Sequence, residues 1–175
     1  MRVLACVVAL TLWSGCADLD NIDVDVSTQV VIAGKSPVEL FLSDFPAMEA
    51  FTQFDLTQTS EFQNSEYSPD DVDSVFLTRW VMSVVDPVEG QDLSFFGSVT
   101  FFIETEGLPR IELARQDSFP SGVTVVAFER SEVDLQNYLL ARQATVTAEI
   151  RDSSKPDRET TVKLEAVFDV DISIL

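Results

Sequence analysis

Residues 160–174 alternate between apolar and mostly polar side chains, and this alternation limits the possible fold more than any other feature of the chain. The apolar positions are Val162, Leu164, Ala166, Phe168, Val170, Ile172 and Ile174. A period of two places these side chains on one face of a β-strand, whereas a helix would scatter them around its surface. We therefore expect a long strand with one buried face and one wet face.

Similar signals recur along the chain, separated by turns that contain Gly and Pro. Residues 22–32 predict a first strand with one wet face, and residues 52–67 predict a polar strand at a sheet edge. Residues 72–85 are rich in apolar side chains, including Trp80, and predict a central strand with both faces largely covered. Further strands are expected at residues 95–103, 110–115, 123–128 and 144–150.

These strands predict an all-β fold, a β-sandwich of about eight strands with Greek-key, immunoglobulin-like connections. A barrel is the alternative. One short helix is expected near residues 131–142, with Ser131 as its N-cap. Gly97 lies inside a predicted strand and indicates a bulge or a point of close packing. We expect a single domain at residues 22–175.

The N-terminal residues have the pattern of a processing signal. Arg2 precedes an apolar run at residues 3–13, which is too short to span a bilayer as a permanent helix. The segment at residues 12–16, LWSGC, resembles the lipobox of bacterial lipoproteins, in which a cysteine receives diacylglycerol before the signal is cleaved. The resemblance implies removal of residues 1–15 as a signal peptide and lipid attachment at Cys16.

Cysteine usage agrees with a lipid anchor. The other cysteine, Cys6, lies within the apolar run and would leave with it, so the mature chain could form no internal disulfide. Residues 16–21 would then be the lipidated start and a polar tether. In lipoproteins of hosts with two membranes, Asp after the lipidated cysteine retains the protein in the inner membrane, so Ala17 implies outer-membrane placement. Two alternatives remain: Cys16 as an ordinary secreted-protein cysteine, and an uncleaved anchor.

The charge of the chain and its lack of histidine limit the classes of partner and of catalytic site. Lys and Arg number 11 and Asp and Glu number 30, which gives a formal net charge of -19, and there is no histidine. Nucleic acid and anionic lipid headgroups are disfavoured, because both attract basic surfaces. Triads and metal sites that contain histidine are excluded. We expect membrane contact through the N-terminal lipid, and a partner that is another envelope protein or a glycan.

Clustered carboxylates are the candidates for chemistry. Asp70, Asp71 and Asp73 lie in one turn and are weak candidates for a calcium site, since hard cations take carboxylate ligands from loops. A bare acidic surface is the preferred explanation of these residues. Glu104 and Glu106 could act as a catalytic pair, but a solvated strand face accounts for them as well. No cofactor is expected.

As a whole, the mature chain is similar to the β-rich envelope lipoproteins of bacteria, a class without a shared catalytic motif. We therefore predict a membrane-anchored envelope lipoprotein that is not an enzyme and acts as a binding or structural module. Two alternatives stay open. One is a carrier of a hydrophobic or lipid ligand, with a cavity lined by the doublets Phe95-Phe96 and Phe101-Phe102. The other is a calcium-stabilised adhesion domain.

Overall fold

The computed structural model describes residues 21–35, 52–141 and 144–173, which form two antiparallel β-sheets. The strands in these ranges are β1 (Asn21–Ile32), β2 (Thr52–Phe54), β3 (Val72–Val84), β4 (Ser98–Glu104), β5 (Ile111–Gln116), β6 (Val125–Ala127), β7 (Glu129–Arg130), β8 (Ala144–Arg151) and β9 (Thr160–Ile172). The smaller sheet has the order β1-β9-β3-β6, and the larger sheet has the order β2-β8-β4-β5-β7. The predicted all-β sandwich is confirmed.

The smaller sheet is built around β9, the strand with the clearest alternation. Every second residue of β9 is buried, from Thr160 to Ile172. β9 pairs with β1 along all 12 residues of that strand, and with β3 on its other side. Because β9 is held by two partners, its buried face is fixed against the larger sheet, as the period of two predicts.

The sequence positions that β3 buries change their alternation twice along its length. Its pairing with β9 shifts register between Val72 and Ser74, and again between Leu77 and Arg79. Each shift inserts one residue, so Leu77 and Trp80 are both buried although they lie three residues apart. Phe76 stays 40% exposed. The prediction that both faces of this strand are largely covered is therefore wrong for its first half, whose outer face meets solvent.

The larger sheet has a Greek-key order. Four of its strands lie as β8-β4-β5-β7, so β8 returns to lie beside β4 at the start of the run. Between β5 and β7 the chain crosses to the smaller sheet, where β6 pairs with β3. Phe128 alone separates β6 from β7 and is buried between the sheets. This crossing joins the two sheets covalently along one edge.

The polar edge strand predicted at residues 52–67 is shorter than expected. β2 ends at Phe54, and a 3-10 turn (Leu56–Gln58) and one helical turn, α1 (Ser60–Gln63), follow it. The cause is local capping: Asp55 accepts a hydrogen bond from the Thr57 amide, and Thr59 accepts one from the Phe62 amide. These side chains satisfy the free amides of each turn, and Leu56 and Phe62 are buried as a result.

The helix predicted near residues 131–142 is present but is only one turn, α2 (Gln136–Leu139). Asp134, and not Ser131, precedes it as the side chain that accepts from its first amide, that of Gln136. The same Asp134 oxygen also accepts from the Val75 amide on β3. The N-cap itself is Leu135, which has no side-chain cap, so the prediction of Ser131 as N-cap is wrong. Asp134 attaches the start of the helix to the smaller sheet.

A single hydrophobic core fills the space between the sheets in the described part of the chain. Trp80 lies at its centre, with its ring 4.6 Å from that of Phe101, and further ring contacts continue through Phe128, Phe119 and Phe96. Gly97 marks a point of close packing, as predicted, because a side chain there would collide with the carbonyl oxygens of Arg151 and Asp152.

Candidate binding site on the larger sheet

At Ser98 and Thr100 the outer face of β4 carries short side chains, where its neighbours carry long ones. Val99, Phe101 and Ile103 point into the core, so the strand alternation turns Ser98, Thr100 and Phe102 outward. On one side β8 contributes long charged side chains, and on the other side β5 does the same. The result is a trough in the middle of the sheet.

The trough has a volume of about 250 Å³. Its floor is Ser98, Thr100 and Phe102, and its walls are Glu112, Arg115, Asp117, Glu149 and Arg151. Register places Thr100 directly between Glu149 and Arg115, and Ser98 beside Arg151. The floor and four of the five wall residues lie on strands. The pairing of β4 with β5 shifts register between Phe101 and Phe102, so Glu112 and Arg115 share the outer face although they lie three residues apart.

One wall of the trough is held by Arg110. Its guanidinium lies 3.7 Å from the centroid of the Phe102 ring, within the range of a cation–π contact. Arg110 Nη1 donates to Glu149 Oε1 at 2.8 Å, and Nη2 donates to Thr147 Oγ1 at 3.2 Å. Arg151 lies 3.5 Å from the other oxygen of Glu149. Glu149 is therefore oriented by two guanidinium groups.

The opposite wall is held by Arg115. Its Nη2 and Nε atoms donate to Glu129 Oε2 at 2.9 and 3.0 Å, and Glu112 lies 3.9 Å away. The hydrogen bond to Glu129 raises the pKa of the Arg115 guanidinium. On the first wall, the hydrogen bond from Arg110 lowers the pKa of the Glu149 carboxyl below its ordinary value. Both groups are thus charged at neutral pH, and Glu149 is an acceptor and not a proton donor.

A second depression, the end cleft, lies where three connections meet beyond the strand ends. Residues 85–97, 117–124 and 152–159 are joined there by backbone bonds, such as Leu93 N to Val123 O and Ser154 N to Phe95 O. The cleft has a volume of about 430 Å³ and is open and mainly polar. Its lining includes Gln91, Asp92, Ser94, Lys155, Arg158 and Thr160.

Asp92 organises the end cleft. One carboxylate oxygen accepts from the amide and hydroxyl of Ser94, and the other accepts from the Gly122 amide at 2.6 Å. The Ser94 hydroxyl, and after it the Gly122 amide, lowers the pKa of this carboxyl. Gln91 donates to the carbonyl of Glu159 at 2.7 Å. Both side chains are therefore occupied in joining loops.

The three calcium candidates, Asp70, Asp71 and Asp73, do not form one site in the described structure. Asp71 Oδ2 accepts from the amide and the hydroxyl of Ser68, each at 2.7 Å, as the capping box of a 3-10 turn (Pro69–Asp71). The Ser68 amide, with its hydroxyl, lowers the pKa of Asp71. Asp70 and Asp73 are exposed. Within residues 21–35, 52–141 and 144–173, no three Asp, Glu, Cys or His side chains are grouped to hold a metal ion.

The remaining candidate residues do not form a shared site in the described part of the chain. Phe95, Phe96 and Phe101 are buried in the core, whereas Phe102 lies on the opposite face of the sheet in the trough. Glu104 ends β4 and is exposed, and Glu106 is exposed in the following turn. Cys16 lies outside the described residues. None of the helices in the described ranges has the length and apolarity needed to cross a membrane.

The trough was missed at the sequence level. Its signal was present in two short polar residues, Ser98 and Thr100, at alternate positions of β4. Their charged neighbours come from other strands, of which β8 is distant in sequence. Comparison with known proteins adds no assignment: no protein-family model matches the chain, and no curated protein matches it either.

Proposed function

We propose that this protein is a non-catalytic binding module, tethered to a bacterial envelope membrane by a lipid on Cys16. The observation that carries the non-catalytic part is that three hydrogen-bonded carboxylates have structural roles: Asp71 caps a turn, Asp92 joins two loops, and Glu149 pairs with Arg110. Where hydrogen bonds shift a carboxyl pKa, at Asp71, Asp92 and Glu149, the shift is downward. A general acid needs the opposite shift, which keeps its proton at neutral pH.

The packing of the core favours a binding surface over a carrier of hydrophobic ligands. Phe96 and Phe101, which would line a cavity in the carrier alternative, contact other aromatic rings in one continuous core. The trough and the end cleft are both open, and both are lined mainly by polar and charged side chains. Polar and charged side chains of this kind can bind ligands through hydrogen bonds.

The tether would orient the domain. Five peptide links join Cys16 to Asn21, the first residue of β1, and an extended chain covers at most about 18 Å over that distance. The end of the sandwich that contains Asn21 would therefore lie near the membrane. Asp23, Asp169 and Asp171 cluster at that end, through the pairing of β1 with β9. Their charge would keep the domain surface away from anionic headgroups.

The end cleft would then lie farthest from the membrane. β1 rises about 3.3 Å per residue, so its 12 residues span roughly 36 Å from Asn21 to Ile32. Lys35, just after β1, donates its amide to the carbonyl of Pro156 in the cleft. Residues near this end would be presented to the periplasm or the cell exterior. With Ala17 after the cysteine, we place the protein in the outer membrane of a host that has two membranes.

Lipid labelling tests the tether. We expect the full chain, expressed in a bacterial host with a clickable fatty acid, to take the label and sediment with membranes. Cys16→Ser should take no label, because it removes the thiol that accepts the lipid. Cys6→Ser is the matched control and should label like wild type. An unlabelled wild-type protein, or a labelled Cys16→Ser variant, would contradict the proposal.

A hydrolase screen tests the absence of catalysis. The detergent-solubilised full chain should show no turnover of ester, glycoside, peptide or phosphoester substrates above that of a mock purification. Turnover that disappears when a single carboxylate is replaced by its amide would show that the protein is an enzyme.

A further inference from the structure

We infer that the trough on the larger sheet is a saccharide-binding site. The shape of the trough is the first observation in favour of a saccharide. Ser98 and Thr100 are short and lie in the centre of the sheet, while Glu149 and Arg115 rise on either side of Thr100. The volume of about 250 Å³ is just below the roughly 300–1,000 Å³ of sites for small ligands. It suits one or two sugar rings of a longer chain.

The chemistry of the walls suits a ligand that both donates and accepts hydrogen bonds. Arg115 and Arg151 are donors, whereas Glu112, Asp117 and Glu149 are acceptors. The hydroxyl groups of Ser98 and Thr100 can do both. A purely anionic or cationic ligand would meet like charge in this mixed set. Each sugar hydroxyl is itself a donor and an acceptor, so a neutral saccharide fits the lining best.

The walls are also held in place before a ligand arrives. Arg110 stacks on Phe102 and orients Glu149, and Arg115 is held by two hydrogen bonds to Glu129. Side chains that are already ordered lose less conformational entropy on binding. Phe102 lines the floor beside the hydroxyl groups, and the Arg110 guanidinium covers its ring at 3.7 Å from the centroid. The trough therefore offers mainly polar contacts on a β-sheet.

The position of the trough agrees with a ligand beyond the membrane surface. Ser98 pairs with Arg151 at the end of β8 that leads into the end cleft, so the trough opens toward the half of the sandwich remote from Asn21. The distance of the trough from the membrane depends on the proposed tether, whereas the shape and lining of the trough do not. The proposed partner is a glycan. Binding of a protein at this face is an outcome that the test distinguishes.

Binding to defined oligosaccharides tests the inference. The detergent-solubilised full chain is applied to an array of neutral oligomers of glucose, mannose, galactose and N-acetylglucosamine, with oligogalacturonate as the acidic comparison. We expect one of the neutral oligomers to bind, and calorimetry then gives its Kd. Thr100→Tyr fills the floor without removing a charge and should weaken binding at least about tenfold. Arg115→Ala should also weaken it.

The matched control is Ser27→Tyr, which places the same ring on the exposed outer face of β1 in the smaller sheet. It should bind like wild type, and melting temperatures of all variants establish that they are folded. No binding by wild type, binding of oligogalacturonate alone, equal weakening by Ser27→Tyr, or a protein ligand displaced by Thr100→Tyr would each overturn the inference. Fatty-acid labelling of Thr100→Tyr separates loss of the site from loss of the tether.

Discussion

Trp80 and Phe76 lie four residues apart on β3 but in opposite environments. Trp80 is 1% exposed and contacts Phe101, whereas Phe76 is 40% exposed on the outer face of the smaller sheet. The register shift between Leu77 and Arg79 separates them and turns Trp80 inward. A single inserted residue therefore decides which aromatic side chain belongs to the core.

Replacing Trp80 by Ala should lower the free energy of unfolding by about 3–5 kcal/mol, because it leaves a cavity at the centre of the core. Phe76→Ala removes an aromatic ring from the same strand at the surface and should cost less than about 1 kcal/mol. Urea titrations of the two purified variants measure both values. Equal losses would mean that the register of β3 differs from the one described.

At the scale of elements, the loops at the end cleft depend on one carboxylate. Asp92 belongs to the connection between β3 and β4, and it accepts hydrogen bonds from Gly122 in the connection between β5 and β6. The Ser94 hydroxyl and the Gly122 amide lower its pKa below 3.8. A carboxyl whose pKa is lowered by folding stabilises the protein at pH values above its pKa in the unfolded chain. This stabilisation is lost as the pH falls through the pKa of the folded state.

Asp92→Asn should therefore be less stable than wild type at pH 6, and the difference should shrink as pH falls from about 4 to 2. Ser94→Ala, which removes one donor to the carboxylate, should show a smaller pH-dependent difference. Denaturant titrations at pH 6, 4 and 2.5 measure these differences. A difference between wild type and Asp92→Asn that stays constant over this range would contradict the role given to the charge.

At the scale of the whole molecule, the net charge of -19 acts against the compact state. The five ion pairs between described residues are exposed or half-buried and contribute little. Carboxylates, in contrast, face each other directly where Asp23 pairs with Asp169 across β1 and β9. Repulsion therefore outweighs attraction on this surface.

Salt should consequently stabilise the protein. We expect the melting temperature to rise when NaCl increases from about 10 to about 300 mM, because the screening length falls from about 30 Å to below 10 Å. Asp23→Asn should reduce this dependence more than Asp25→Asn, which removes the same charge opposite Val167. A melting temperature that falls with salt would show that the ion pairs dominate.

The sequence alone determined the fold class and the charge of this protein. The alternation of residues 160–172 predicted the buried face of β9, since a strand's period of two depends on no other element. The absence of histidine excluded the catalytic sites that require this residue, because amino-acid composition does not depend on the fold. The lipobox-like segment that ends at Cys16 likewise stands in the sequence, and its lipid stays a prediction.

Only the tertiary structure decided the rest, because it depends on which strands become neighbours. The register shifts of β3 coincide with the consecutive polar residues 73–74 and 78–79, but only the pairing with β9 shows that these positions are bulges. Arg115 and Glu149 lie 34 residues apart in the chain, and only the order β8-β4-β5 places them on either side of Thr100. The trough exists because short and long side chains from three strands share one face, a relation that no single segment contains.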